Sequence, residues 1–85
     1  MKDYDVSISR RAQKELAKLP DHAYQSVRGA VRALAQNPRP PGSIKLTNRA
    51  AWRIRVGDYR DIYEIHDQQL VVIVVHVGHR RDIYR

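Results

Sequence analysis

The chain has no cysteine, which excludes disulfides, thiolate chemistry and a cysteine-ligated metal. No stretch approaches the ~20 apolar residues of a membrane span, and the N-terminus lacks the charged-then-apolar order of a signal segment. A cytoplasmic protein without a membrane partner is the expectation. The sequence also carries no phosphate-cradling glycine loop, no nucleophile elbow, no dinucleotide-binding fingerprint, no internal repeat and no low-complexity tract. Acidic residues are few: 9 Asp and Glu stand against 16 Lys and Arg, for a net charge of +7. So basic a balance points to an anionic partner, nucleic acid first, with an unliganded basic surface as the alternative. The 4 histidines, at positions 22, 66, 76 and 79, are scattered. His76 and His79 have a spacing seen in metal sites, but no cluster of acids or thiols completes a ligand set, and neither metal nor cofactor is expected.

What is present fits one domain spanning residues 1–85. Tyr4, Val6 and Ile8 alternate as in a short strand, and Ser9 can cap a helix bearing Ala12, Leu16 and Leu19 at helical spacing. Pro20-Asp21 ends that helix and begins a second, whose apolar face is Ala23, Val27, Ala30, Val31 and Leu34. The tight break predicts an antiparallel helical hairpin. After the breaker run Asn37-Pro-Arg-Pro-Pro-Gly42, the period changes from helical to alternating. Three strands follow, the last of them LVVIVVHV, apolar on both sides as a covered central strand should be. The order β-α-α-β-β-β predicts an α+β fold, with a mainly antiparallel sheet and the helices on one face.

The segment WRIRVGDYR, beginning at Trp52, carries the strongest functional signal. With Gly57-Asp58 as a two-residue turn, Val56 pairs with Tyr59 and Arg55 faces Arg60, a like-charge pair that weakens a sheet. Trp52, Ile54, Val56, Tyr59, Tyr63 and Ile65 then form the face under the helices. Arg53, Arg55, Arg60, Ile62 and Glu64 form the other, taken as an open cationic face. Asp61 is the misfit on the apolar face, expected to pair with a basic helix residue or to reach the rim. Arginine's planar fork of donors suits phosphate oxygens, so three arginines on one face read as a phosphate site; a solvated polar face is the plainer reading.

The tail VGHRRDIYR adds His79, Arg80, Arg81, Tyr84 and Arg85 beside the Arg60 strand, with Gly78 read as the point where the chain leaves the sheet. Tyr84 can stack on a base, or exchange a proton if nearby cations lower its pKa; equally, Ile83 and Tyr84 can simply anchor the terminus. His79, the histidine among these arginines, can act as an acid or base near neutral pH, or be an ordinary end-of-strand residue.

WRIRVGDYRDIYEI followed by LVVIVVHVGHRRDIYR closely resembles the C-terminal half of RelE-type toxins of the RelE/ParE superfamily. The helical half, with its K-L-P break and the Asn37–Gly42 run before Lys45-Leu46, fits as well. The resemblance implies a small α+β toxin encoded beside an antitoxin and acting as a ribosome-dependent, metal-independent mRNA endoribonuclease in the ribosomal A site. It places the catalytic set at Arg53, Arg55, Arg60, Arg80 and Tyr84, and further RNA contacts at Lys45, His79, Arg81 and Arg85. The implied reaction is attack of the RNA 2′-hydroxyl on the scissile phosphate. Arg55 and Arg60 would stabilise the transition state, Arg80 the leaving oxygen, and Tyr84 would orient the nucleotide.

Some relatives carry lysines where this chain has Arg53 and Arg55. Arginine cannot serve as a base, which leaves Tyr84 or His79 for that role. Asp61 stands where relatives often have a hydrophobic residue. The chain stops at Arg85 without a further helix, so the antitoxin, with acidic and amphipathic segments, is expected to cover the arginine face. The alternatives are a ParE-like inhibitor of DNA gyrase that cleaves nothing, and a non-catalytic nucleic-acid-binding module.

Overall fold

The computed structural model describes residues 3–81. Strand β1 is Asp5–Ile8. Ser9 then caps helix α1, Arg10–Ala17, its hydroxyl accepting the Ala12 amide at 3.1 Å, a cap worth about 1 kcal/mol. Pro20 precedes α2, Asp21–Ala33, where its missing N–H costs no helical bond. Asp21 sets a carboxylate in the first turn of α2, at the positive end of the helix dipole. The remaining strands are β2 (Ile44–Lys45), β3 (Trp52–Val56), β4 (Tyr59–His66) and β5 (Val71–His79).

The sheet runs β1-β5-β4-β3-β2, with β1 parallel to β5 and every other pair antiparallel. The α+β architecture is the expected one, and β5 lies inside the sheet between β1 and β4. Val72, Val74 and Val77 on its helix side are buried, but Ile73 and Val75 on the other side are only half-buried, so the strand is not covered on both faces as expected. The pattern reading missed β2, because two residues cannot display a period. It also ended the last strand early: Gly78 does not leave the sheet but pairs with Arg60, and β5 continues to His79.

Helix α1 packs chiefly on β5, and α2 on β3 and β4. Ala12 and Leu16 from α1 meet Val27 and Val31 from α2 over Ile54, Tyr63, Val72, Val74 and Val77 of the sheet. Each fully buried valine or leucine contributes roughly 1.5–3 kcal/mol. A bulge in β5 makes this register possible. Ile62 pairs with His76 and Tyr63 with Val74, so Val75 is the extra residue. Val74 and Val77, three apart, consequently both reach the main core.

Two expectations are corrected here. Asp61 neither pairs with a helix cation nor reaches the rim: it is fully buried, in register between Ile54 and Val77, and both carboxylate oxygens lack a hydrogen-bond partner. Its position in the strand fixes the side, and the inner faces of the helices offer apolar residues there. The arginine-bearing face is not fully open either. Ile62 and Ala51 are buried on it, with Leu46 and Val75 packed against them. The 46–51 segment folds back, closed by the Leu46 amide donating to the Ala51 carbonyl at 2.9 Å. Alternation along β4 marks Ile62 as outward-facing but cannot reveal a loop that returns to cover it.

The end of the sheet away from the Gly57-Asp58 turn is locked by polar contacts. Arg39 donates to both oxygens of Asp67, at 3.1 and 2.9 Å, and Tyr4 donates its hydroxyl to Oδ1 at 2.6 Å. The guanidinium and the phenol together hold the Asp67 carboxyl down at about 2. The Arg39 guanidinium also lies 5.2 Å from the Trp52 ring centre. Tyr63, buried so that its phenol is pushed up to about 12, donates to the Pro38 carbonyl at 2.7 Å. These bonds fix the proline-rich run and leave the turn end of the sheet as the accessible arginine surface.

Candidate functional site

Gly57 opens the β3–β4 turn with φ 59°, a left-handed conformation that glycine adopts without steric cost. The tight turn fixes the register, and Arg55 stands directly opposite Arg60, as the sequence predicts. On the other side of Arg60 the partner is Gly78, which brings no side chain. Across β3, β4 and β5 the row is therefore Arg55, Arg60, Gly78. Arg53 lies one row further in, between Ile44 of β2 and Ile62 of β4, at the border of the small apolar cluster. Arg55 is exposed, while Arg53 and Arg60 are half-buried. Arg60 donates through Nη1 to the Tyr59 carbonyl at 3.3 Å.

Arg80 joins this end of the sheet through its backbone. Its amide donates to the Asp58 carbonyl at 2.8 Å, tying the residue that follows β5 to the hairpin turn. No described carboxylate stands within salt-bridge distance of Arg55, Arg60 or Arg80. At roughly 5 Å between facing Cβ atoms, the repulsion of Arg55 and Arg60 weakens the sheet by some tenths of a kcal/mol. An anion between the forks would reverse the sign of that interaction.

The remaining predicted residues divide. His79 pairs with Tyr59, whose ring belongs to the helix-facing side, and the two rings meet edge to face at 5.6 Å. Its Nδ1 accepts the Arg81 amide at 3.2 Å, so a neutral His79 carries its proton on Nε2 and has no free lone pair. Lys45 pairs with Trp52 on edge strand β2, which puts it on the helix-facing side by register, away from the arginine row. Arg81 is exposed just past β5. Tyr84 and Arg85 lie outside the described residues.

Sequence reasoning missed the contribution of α1. Glu15, between core residues Ala12 and Leu16, reaches β5 and accepts the Val77 amide at 2.9 Å. The available signal was a carboxylate placed three residues from Ala12 and one from Leu16, at the margin of an apolar stripe.

Solved toxin structures share this fold. A chain of the archaeal RelE–RelB complex from Pyrococcus horikoshii matches with TM-score 0.83 and 28% identity, covering 94% of this chain and 98% of that one. A chain of the intact Escherichia coli RelBE toxin–antitoxin complex matches with TM-score 0.78 and 26% identity, covering 89% of this chain and 95% of that one. The class is thus a small α+β toxin of the RelE/ParE superfamily. In sequence, Toxin RelG of Mycobacterium tuberculosis is 32% identical over 84 residues, 96% of this chain and 97% of that protein. Residues 6–84 match the ParE toxin of the type II toxin–antitoxin system parDE, and the chain belongs to that family. Among the described residues, no helix is long and apolar enough to cross a membrane.

Proposed function

We propose that this toxin is a metal-independent endoribonuclease that cuts mRNA in the ribosomal A site and is held inactive by a cognate antitoxin. The observation that carries the reading is the Arg55–Arg60–Gly78 row, with Arg80 tied beside it and no described carboxylate to neutralise the charge. Arg55 and Arg60 grip the scissile phosphate. The adjacent 2′-oxygen attacks phosphorus, the bond from phosphorus to the 5′-oxygen breaks, and the products are a 2′,3′-cyclic phosphate and a 5′-hydroxyl. Charge grows on the equatorial oxygens during this step, which is where a pair of preorganised forks contributes most. Arg80 stabilises the departing oxygen, which takes a proton from solvent water to become the 5′-hydroxyl, and Arg53 holds the flanking backbone.

The proton of the 2′-hydroxyl needs an acceptor, and arginine does not provide one. His79 is a weak choice, since Nδ1 already accepts the Arg81 amide and the ring lies against Tyr59. That arrangement favours Tyr84. The ribosome supplies the positioning of the substrate, a large part of the rate in such a reaction. The likeness to RelE chains solved with RelB supports an antitoxin partner, and a +7 chain suits one with acidic segments.

The family match to ParE toxins supports a second reading, inhibition of DNA gyrase without cleavage. Mapping the 5′ ends of cellular mRNA after brief induction separates the two. Codon-phased cuts are expected; a DNA-damage response without cuts would overturn the nuclease reading in favour of the second.

A further inference from the structure

Strand β1 ends early. Its last ladder pair is Ile8 with Val74, and the Ser9 amide adds one bond to the Val74 carbonyl at 2.9 Å. Strand β5 runs on to His79, so residues 75–79 have no strand neighbour on that side. A bare edge of this kind leaves backbone groups unpaired. Here α1 supplies the missing partners. The Ser9 hydroxyl donates to the Val75 carbonyl at 3.3 Å, and Glu15 Oε1 accepts the Val77 amide at 2.9 Å.

Glu15 is itself held in place. Its Oε2 lies 2.7 Å from His76 Nδ1 and 3.5 Å from Arg11 Nε. Arg11 Nη2 stands 3.5 Å from His76 Nε2, so a neutral imidazole with its proton on Nδ1 satisfies every contact. The Glu15 and His76 side chains are 23% and 16% exposed, sheltered enough for a charge-assisted bond to exceed an ordinary ladder bond.

We infer that Glu15 is a positioning residue for the arginine site, its carboxylate replacing the strand that β5 lacks beyond Ile8. Val77, which it holds, immediately precedes Gly78, the partner of Arg60. Two residues further on, the Arg80 amide meets the Asp58 carbonyl. Whatever sets the path of β5 at Val77 therefore sets both the spacing of the row and the approach of Arg80. Glu15 touches neither Arg60 nor the RNA; it acts through the backbone. The inference rests on the proposed reading of that end of the sheet as the RNA site.

Amide exchange and single-turnover cleavage of ribosome-bound mRNA, both on the full chain, test it. Glu15→Ala should speed exchange at Val77 at least roughly tenfold while Val72 is unaffected. It should slow cleavage about 10- to 100-fold at saturating ribosome complex, the scale of a small misplacement of reacting groups. Glu15→Gln keeps an acceptor oxygen and should restore Val77 protection and most of the rate. Glu15→Asp, a methylene shorter, should behave like alanine, and this pair carries the test if the alanine variant does not fold. A variant that loses Val77 protection yet cleaves at the wild-type rate overturns the inference, as does unchanged exchange at Val77. If wild-type protein cuts nothing, the nuclease reading fails instead. Titration with a 2′-deoxy-substituted RNA trinucleotide then decides the inference, through the Arg60 and Arg80 amide signals. Weakening of about threefold or more in Glu15→Asp, with recovery in Glu15→Gln, supports it; equal affinity overturns it.

Discussion

Replacing Asp61 should stabilise this toxin, and by an amount that depends on pH. The carboxyl is fully buried between Ile54 and Val77 with no partner for either oxygen, and burial raises its pKa from 3.8 to about 7. The folded state thus holds the proton more tightly than the unfolded chain. Between pH 3.8 and about 7 the unfolded carboxyl is ionised while the folded one is protonated, so stability falls as pH rises through that window and levels off above it. With about three pH units at about 1.4 kcal/mol each, the full cost is on the order of 4 kcal/mol. About 3 kcal/mol of it develops between pH 5 and pH 8. Asp67 does not confound the measurement. Its pKa is held low, so its contribution is present above pH 3.8 and fades only below that.

Asp61→Asn keeps the shape and cannot ionise. At pH 8 it should gain about 2–4 kcal/mol, which for a domain of this size is a rise in Tm of roughly 10–25 °C. At pH 5 the gain should be smaller by about 3 kcal/mol. Asp61→Val also removes the unpaired polar group and should be at least as stable as the asparagine variant. Urea unfolding at pH 5, 6, 7 and 8 provides the comparison. A wild-type protein equally stable at pH 5 and pH 8, or an asparagine variant that is weaker at pH 8, would mean that Asp61 finds a cation or another partner, and the reasoning would fail.

Arg60→Gln should leave stability unchanged or raise it by some tenths of a kcal/mol, by relieving the cross-strand repulsion. It should slow cleavage roughly 100-fold or more, the scale of removing one transition-state donor; marked destabilisation would make Arg60 a structural residue. Tyr84→Phe keeps stacking and removes the phenol, so loss of cleavage with retained RNA binding is expected, and full activity would exclude proton transfer by Tyr84. Arg39→Ala breaks an ion pair whose side chains are 42% and 52% exposed, together with the contact over Trp52. The expected cost is about 1 kcal/mol or less by thermal unfolding, with cleavage intact, since the lock lies at the far end of the sheet.

The readable parts of this fold are those governed by local rules. Ser9, Pro20 and the Asn37–Gly42 run punctuate the chain through capping and restricted backbone angles. The Gly57-Asp58 turn fixes the Arg55–Arg60 register without reference to the rest of the molecule. Features that depend on distant segments were hidden. Two-residue β2 exists because it can pair with β3. The 46–51 loop covers Ile62 through a fold-back that strand alternation cannot encode. Glu15 reads as an exposed helical carboxylate until β5 outruns β1. His79 sits among arginines in sequence, yet pairing with Tyr59 turns it to the opposite side of the sheet.

Arg60 and Asp61, adjacent in β4, each break a rule of stable sheets, and their costs differ in kind. Facing arginines would repel only until an anion arrived, so the arrangement carries a small instability that a phosphate bound between them would remove, as sites under functional constraint commonly do. Asp61 points to the other side, into the core, where no phosphate can reach and no described cation pairs with it. Its cost is roughly ten times larger by the figures above, and nothing in the RNA reading offsets it. The two residues are therefore separable by experiment: changing Asp61 should raise stability without slowing cleavage, whereas changing Arg60 should slow cleavage with little effect on stability. If both substitutions slowed cleavage alike, the β4 backbone rather than the guanidinium would be what the reaction depends on.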